Sequence, residues 1–175
     1  MNAATRDGWI EYGGSVEAGS RVIAEAGNGW IWYKGDVSTG GGNVTAYMRN
    51  GNIVYANSVE AGGNVEALVE RGDIIYLGKV KAGRNVIANT SIGDILHGSD
   101  VTAGRSVITR TGSGSITYMG RVTAGKDLPE QLRNGYGKVA YYDRYGLIGY
   151  EKADGTTVTV RNAKPDEIKF AGVRQ

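Results

Sequence analysis

Residues 72–86 read GDIIYLGKVKAGRNV, and this pattern occurs six times in the 175-residue chain at intervals of about 21 residues. Each unit begins with a glycine and places an isoleucine two residues later and a valine eight residues later. The starting glycines are Gly8, Gly29, Gly51, Gly72, Gly93 and Gly114. A fixed period of about 20 to 50 residues is typical of stacked repeat proteins, so the spacing predicts a solenoid.

The apolar residues of each unit come in pairs two positions apart, and this spacing predicts short strands. Side chains two apart lie on one face of a strand, as for Ile74 and Tyr76. Three such pairs make one coil, and coils stacked about 4.8 Å apart bury faces that no single unit could bury. We therefore predict an all-β fold, a parallel β-helix of about six three-strand coils, over residues 1–128. The isoleucine column is Ile10, Ile31, Ile53, Ile74, Ile95 and Ile116.

Three further columns predict contacts between coils. A glycine follows the second strand, as in Ala82-Gly83, and we expect a corner with positive φ there. Asparagines at Asn43, Asn64 and Asn85 are spaced to form a hydrogen-bonded ladder. Rings two positions after the isoleucines are expected to stack along one edge of the prism. These rings belong to Tyr12, Tyr33, Tyr55, Tyr76, His97 and Tyr118.

The composition argues against several classes of protein. An apolar content of 41% supports a narrow core, and 29 glycines with only two prolines fit many short strands and tight turns. Acids and bases are mixed in every unit with a net charge of +2, so we expect no nucleic-acid partner. No apolar run reaches the roughly 18 residues of a membrane span, so we expect no membrane insertion.

The sequence offers no constellation for catalysis. The chain has one histidine and no cysteine, which removes thiolate and histidine-cluster metal sites. Carbohydrate-active β-helices use paired carboxylates, but only Asp73 and Asp94 are stacked acids, and both belong to a repeated turn. The phosphate-loop-like stretch ending at Lys126 has Asp127 where Ser or Thr would follow. We predict no enzyme, no cofactor and no metal.

The regular pattern decays after Leu128. Pro129 falls where a strand should continue, and proline cannot donate to a strand ladder. A hairpin is predicted between residues 146–152 and 156–161, around Asp154-Gly155. We interpret residues 129–175 as an irregular β cap or degenerate coils, with a separate small domain as the alternative. Because the repeat is already in progress at Gly8, we expect a segment of a longer protein, without its signal peptide.

Exposed aromatic residues are the candidate binding groups. Trp9 and Trp30 stand at the same offset in adjacent units, next to inward isoleucines, so both should point away from the core. With Trp32 they form a predicted patch that could hold a sugar ring or a partner coil. Tyr142 and Tyr145 of the tail are further candidates. The alternative is that the tryptophans only cover preceding coils or a neighbouring segment of the intact protein.

The units of residues 72–86 and 100–107 resemble the repeats of filamentous-haemagglutinin-like adhesins, which are exported bacterial proteins that form right-handed parallel β-helices. The resemblance covers Gly8 to about Leu128. It implies a shaft that carries binding regions in cell adhesion, located outside a bacterium or on its surface, with surface glycans or proteins of host or bacterial cells as partners. A carrier segment of a contact-dependent toxin and a glycan-binding or glycan-cleaving β-helix are alternatives. An intracellular scaffold or filament former that associates end to end is a third.

Overall fold

The computed structural model describes residues 1–120, 122–124, 139–143, 146–151 and 157–159, and every regular element among them is a β-strand. Each coil of about 21 residues contributes three strand segments, and each segment pairs in parallel with its counterpart in the next coil. The prediction of a parallel β-solenoid of about six coils is therefore confirmed.

Three walls enclose the core, and we number them in the order in which their strands occur within a repeat. The first wall begins with the isoleucine column and the second wall with the first valine column. Four strands belong only to the first wall: β2 (Ile10–Tyr12), β9 (Ile74–Tyr76), β12 (Ile95–His97) and β15 (Ile116–Tyr118). The strands of the second wall are β3 (Val16–Ala18), β5 (Val37–Thr39), β7 (Val59–Ala61), β10 (Val80–Ala82), β13 (Val101–Ala103) and β16 (Val122–Ala124).

The third wall begins with the second valine column and has longer strands than the sequence predicted. Its strands are β1 (Asn2–Asp7), β4 (Val22–Tyr33), β6 (Val44–Tyr55), β8 (Val65–Arg71), β11 (Val86–Ile92) and β14 (Val107–Ser113). The 12-residue strands β4 and β6 run without a break from the third wall of one coil into the first wall of the next. The first and third walls consequently share one sheet, whereas the second wall is a separate six-stranded sheet.

Like residues stack on like residues inside the walls. Ile53 pairs with Ile74, and Ile74 pairs with Ile95, in direct register. These three side chains are at most 1% exposed, as are Tyr55, Tyr76 and His97 two residues further on. Burying one such aliphatic side chain stabilises the fold by about 1.5–3 kcal/mol, and no coil can bury its face without a neighbour. The stack is therefore the unit of stability.

The glycine after the second strand does not have the positive φ that the sequence suggested. Positive φ occurs instead at the starting glycines, for example +133° at Gly72. Gly83 is required for a different reason, since a Cβ atom there would lie 2.2 Å from the carbonyl oxygen of Gly62. Close approach of successive coils at this corner explains why glycine recurs there.

Side-chain ladders run along two corners of the stack. The backbone N–H of Asn64 donates to Asn43 Oδ1 at 2.9 Å, and the N–H of Asn85 donates to Asn64 Oδ1 at 3.1 Å. This confirms the predicted asparagine ladder. At another corner, the N–H of Asp94 donates to Asp73 Oδ1 at 2.8 Å. The predicted role of these two acids in the turn is thereby confirmed.

Parallel stacking gives way to antiparallel pairing near the C-terminus. Strand β17 (Val139–Asp143) adds to β14 in parallel, with Val139 opposite Val107. Strand β18 (Gly146–Glu151) then pairs antiparallel with β17, and β19 (Thr157–Thr159) pairs antiparallel with β18. The last pair matches the predicted hairpin. Pro129 and the proposed boundary between residues 128 and 129 lie outside the described residues.

Candidate functional site

The tryptophan cluster, defined as Trp9, Trp30 and Trp32, lies on the outside of the first two coils. Ile10 and Ile31 point inward as a stacked pair. Alternation along the strands therefore turns the preceding tryptophans outward. Trp9 is 77% exposed and Trp30 is 47% exposed, as the sequence predicted, while Trp32 is half-buried.

The cluster lines a small cleft. The cleft has a volume of about 300 Å³ and is lined by the three tryptophans together with Ile10 and Glu11. The rings of Trp30 and Trp32 meet at an angle of 51°, with their centroids 6.5 Å apart. The lining is thus largely aromatic and includes one carboxylate.

Two opposite charges accompany the aromatic rings. Lys34 Nζ lies 2.6 Å from Glu11 Oε1 and 4.7 Å from the centroid of the Trp32 ring. The second distance is within the range of a cation–π contact. Trp32 Nε1 is buried and has no hydrogen-bond partner among the described residues. The cluster therefore combines an occupied cation site, a carboxylate and an indole donor.

An apolar column continues from the cluster along the outside of the first wall. Trp32, Val54, Ile75 and Leu96 are consecutive partners in this column, and all are half-buried. This column was not predicted from the sequence, because its members differ in residue type. The outward column of the second wall is polar throughout, with Glu17, Ser38, Glu60, Lys81 and Thr102. The outer face of the first wall is thus apolar over these four coils, in contrast to that of the second wall.

Tyr142 of the tail does not join the tryptophan cluster. Tyr142 lies in β17, which stacks beyond β14 at the opposite end of the solenoid. Tyr145 lies outside the described residues. Of the predicted binding residues that the structure describes, the three tryptophans are brought together and Tyr142 is not.

Several acidic residues elsewhere are engaged in structural contacts. Glu60 Oε1 pairs with Lys81 Nζ at 2.5 Å. A second, wider cleft of about 520 Å³ includes Asp7 and Glu25, and Asp7 Oδ1 accepts a hydrogen bond from Asn28 Nδ2 at 2.6 Å. Within the part of the chain that the structure describes, no three His, Asp or Glu side chains gather as metal ligands, and no helix suited to crossing a membrane is found.

The single histidine is part of the core. His97 is fully buried between the rings of Tyr76 and Tyr118, with centroid distances of 4.9 and 4.7 Å. Burial lowers the pKa of His97 to about 3. It is therefore neutral near pH 7 and has no access to a surface ligand.

The geometry defines the class of protein as a β-solenoid with an aromatic cluster at its first coils. No protein-family model, curated protein or solved structure matches this chain.

Proposed function

We propose that this chain is a shaft segment of a bacterial surface adhesin, exported from the cell, whose coils hold a binding region at a distance. The observation that carries the proposal is the unbroken register of the inner columns. From Ile31 to Ile95 every isoleucine pairs with the next without slip. A stack of this kind lengthens by one strand spacing, about 4.8 Å, for each added coil.

The contacts between coils support rigidity. Backbone hydrogen bonds, stacked rings and the asparagine ladder all run along the stack, so bending it separates several contacts at once. The ring centroids of Tyr33, Tyr55 and Tyr76 repeat at 4.7 and 4.9 Å. Side chains and backbone therefore keep the same spacing, as a load-transmitting spacer requires.

The contacts that the carboxylates make favour a structural role over carbohydrate cleavage. Glycosidases use two carboxyl groups about 5–10 Å apart that flank the scissile bond. Here Asp73 and Asp94 serve the turn ladder, and Glu60 is paired with a lysine. Surface glycans or proteins of host or bacterial cells would be bound by the intact adhesin, and a toxin carried at its tip would use the same shaft.

The proposal is tested by a reach experiment. The chain is inserted between an outer-membrane anchor and a binder of known ligand, and adhesion is measured on ligand-coated surfaces shielded by polymer brushes of graded height. Deleting residues 72–92 removes one coil and joins Arg71 to Gly93. We expect adhesion to tall brushes to fall with each deleted coil and adhesion to bare surfaces to persist. Adhesion that does not depend on the number of coils at any brush height would overturn the shaft role.

A further inference from the structure

We propose that the tryptophan cluster is a binding site for a methylated ammonium group, such as the head group of choline. The inference rests on the geometry of the first two coils and does not depend on the shaft role. Its ligand would lie in the cleft that the three tryptophans line, in contact with their rings, with the Glu11 carboxylate as counter-charge.

The first argument is that the cluster already holds an ammonium. Lys34 Nζ sits 4.7 Å from the centroid of Trp32 and 2.6 Å from Glu11 Oε1. Tryptophan is the aromatic side chain that attracts cations most strongly, through the negative face of its ring. The rings of Trp9 and Trp30 are available to an external cation, because they are 77% and 47% exposed. The Glu11 carboxylate lines the same cleft, where an external cation would compete with Lys34 for it.

The second argument concerns the polar groups in the cleft. Among the side chains of the five lining residues, only the Glu11 carboxylate and the tryptophan N–H groups are polar. A sugar ring would lose water from several hydroxyl groups and recover few hydrogen bonds, which is costly. A trimethylammonium group needs no hydrogen bonds, and its methyl groups pack on the rings while its charge faces the carboxylate. The lining therefore favours the cation.

The third argument is size. A cleft of about 300 Å³ is at the lower limit of small-molecule sites, so it suits a compact head group rather than a long chain. The rings of Trp30 and Trp32 stand at 51° to each other and so form two sides of a corner. A roughly spherical group fits such a corner better than a flat one.

Intrinsic fluorescence tests the site directly, because all three tryptophans of the chain belong to the cluster. The full chain is titrated with choline chloride at constant ionic strength. The parallel titrations use sodium chloride, the neutral carbon analogue 3,3-dimethylbutan-1-ol, and methyl glucoside. We expect a saturable change with choline in the millimolar range and weaker binding of the neutral analogue by at least about threefold. Equal or tighter binding of the neutral analogue or of methyl glucoside, or no response to choline, would overturn the proposal.

Three variants isolate the charges and the rings. Trp30→Leu should weaken choline binding about two- to fivefold through loss of one ring, and Glu11→Gln should weaken it similarly. Lys34→Met should strengthen it at least about twofold, because Glu11 loses its competing cation. Glu60→Gln is the matched control, since Glu60 is also paired with a lysine one coil away but lies on the second wall. A control that weakens binding as much as Glu11→Gln, or Lys34→Met that weakens it, would contradict the assignment.

The source of the ammonium is distinguished by a second titration with phosphatidylcholine vesicles and with free phosphocholine. Binding of both assigns a site that accepts a membrane head group, whereas binding of free phosphocholine alone assigns a soluble or polymer-attached ligand. Each supports the proposal. Binding to vesicles without any response to free choline or phosphocholine would overturn the proposal, because the tryptophan rings would then bind the apolar part of the bilayer and not the head group.

Discussion

The ring of His97 lies flat against the ring of Tyr76 in the core, with centroids 4.9 Å apart and planes inclined by 6°. It replaces a tyrosine in a column that is otherwise continuous. Neither ring nitrogen of His97 has a hydrogen-bond partner among the residues that the structure describes. The imidazole therefore preserves the stacking but introduces a group that can acquire a charge.

The first prediction is that His97 makes stability depend on pH. Its pKa is lowered by burial to about 3, whereas the unfolded value is about 6.5. Between these values the unfolded chain binds one more proton than the folded chain, so stability falls as the pH decreases. We expect His97 to account for a loss of roughly 3 kcal/mol between pH 7 and pH 4, measured by urea denaturation.

The variant His97→Tyr provides the control for this prediction. It restores the ring column and removes the only histidine, while the carboxylates that also titrate in acid remain the same. The difference in unfolding free energy between variant and wild type should grow as the pH is lowered. A constant difference from pH 7 to pH 4 would mean that His97 binds a proton as readily in the folded state as in the unfolded state.

The second prediction separates the inside of the coil from the outside. Ile74→Asp places an unpaired carboxylate between Ile53 and Ile95, and we expect it to cost about 4 kcal/mol or more. Thr102→Asp adds the same group to an exposed position beside Lys81 and should change stability by less than about 1 kcal/mol. Thermal and urea unfolding measure both. Similar losses of stability in the two variants would show that the inward and outward faces of the strands are assigned wrongly.

The third prediction uses two glycines that occupy the same place in the repeat. A Cβ atom at Gly83 would lie 2.2 Å from the Gly62 carbonyl oxygen, whereas a Cβ atom at Gly19 meets nothing within 4 Å. Gly83→Ala should therefore cost about 3 kcal/mol, and Gly19→Ala should be neutral or slightly stabilising. Equal effects on the unfolding free energy would argue that glycine is needed for its backbone conformation and not for the approach of the coils.

Much of the fold could be predicted because identical residues mark the inner positions. The isoleucine and tyrosine columns needed no knowledge of distant contacts, since each residue pairs with its own equivalent one coil away. The asparagine ladder followed in the same way. The φ angle at Gly83 was predicted wrongly, because sequence alone does not distinguish a strained corner from a close approach of two backbones.

The outer surface was less predictable. The exposure of Trp9 and Trp30 followed from strand alternation. The contact of Lys34 with both Glu11 and Trp32 did not, because it depends on the side-chain rotamers of two coils. Outward residues are not constrained to repeat, so Val54 and its neighbours formed an apolar column without a recognisable pattern.

The fourth prediction concerns the central claim, that the chain is a rigid spacer whose length is set by its number of coils. Four extra copies of residues 72–92 inserted after Ile92 preserve the register of the stack, because Gly93 and Gly72 occupy equivalent positions. Small-angle X-ray scattering should show a particle longer by about 19 Å, four strand spacings, with an unchanged cross-sectional radius. An unchanged length, or an increase in cross-section, would contradict the account.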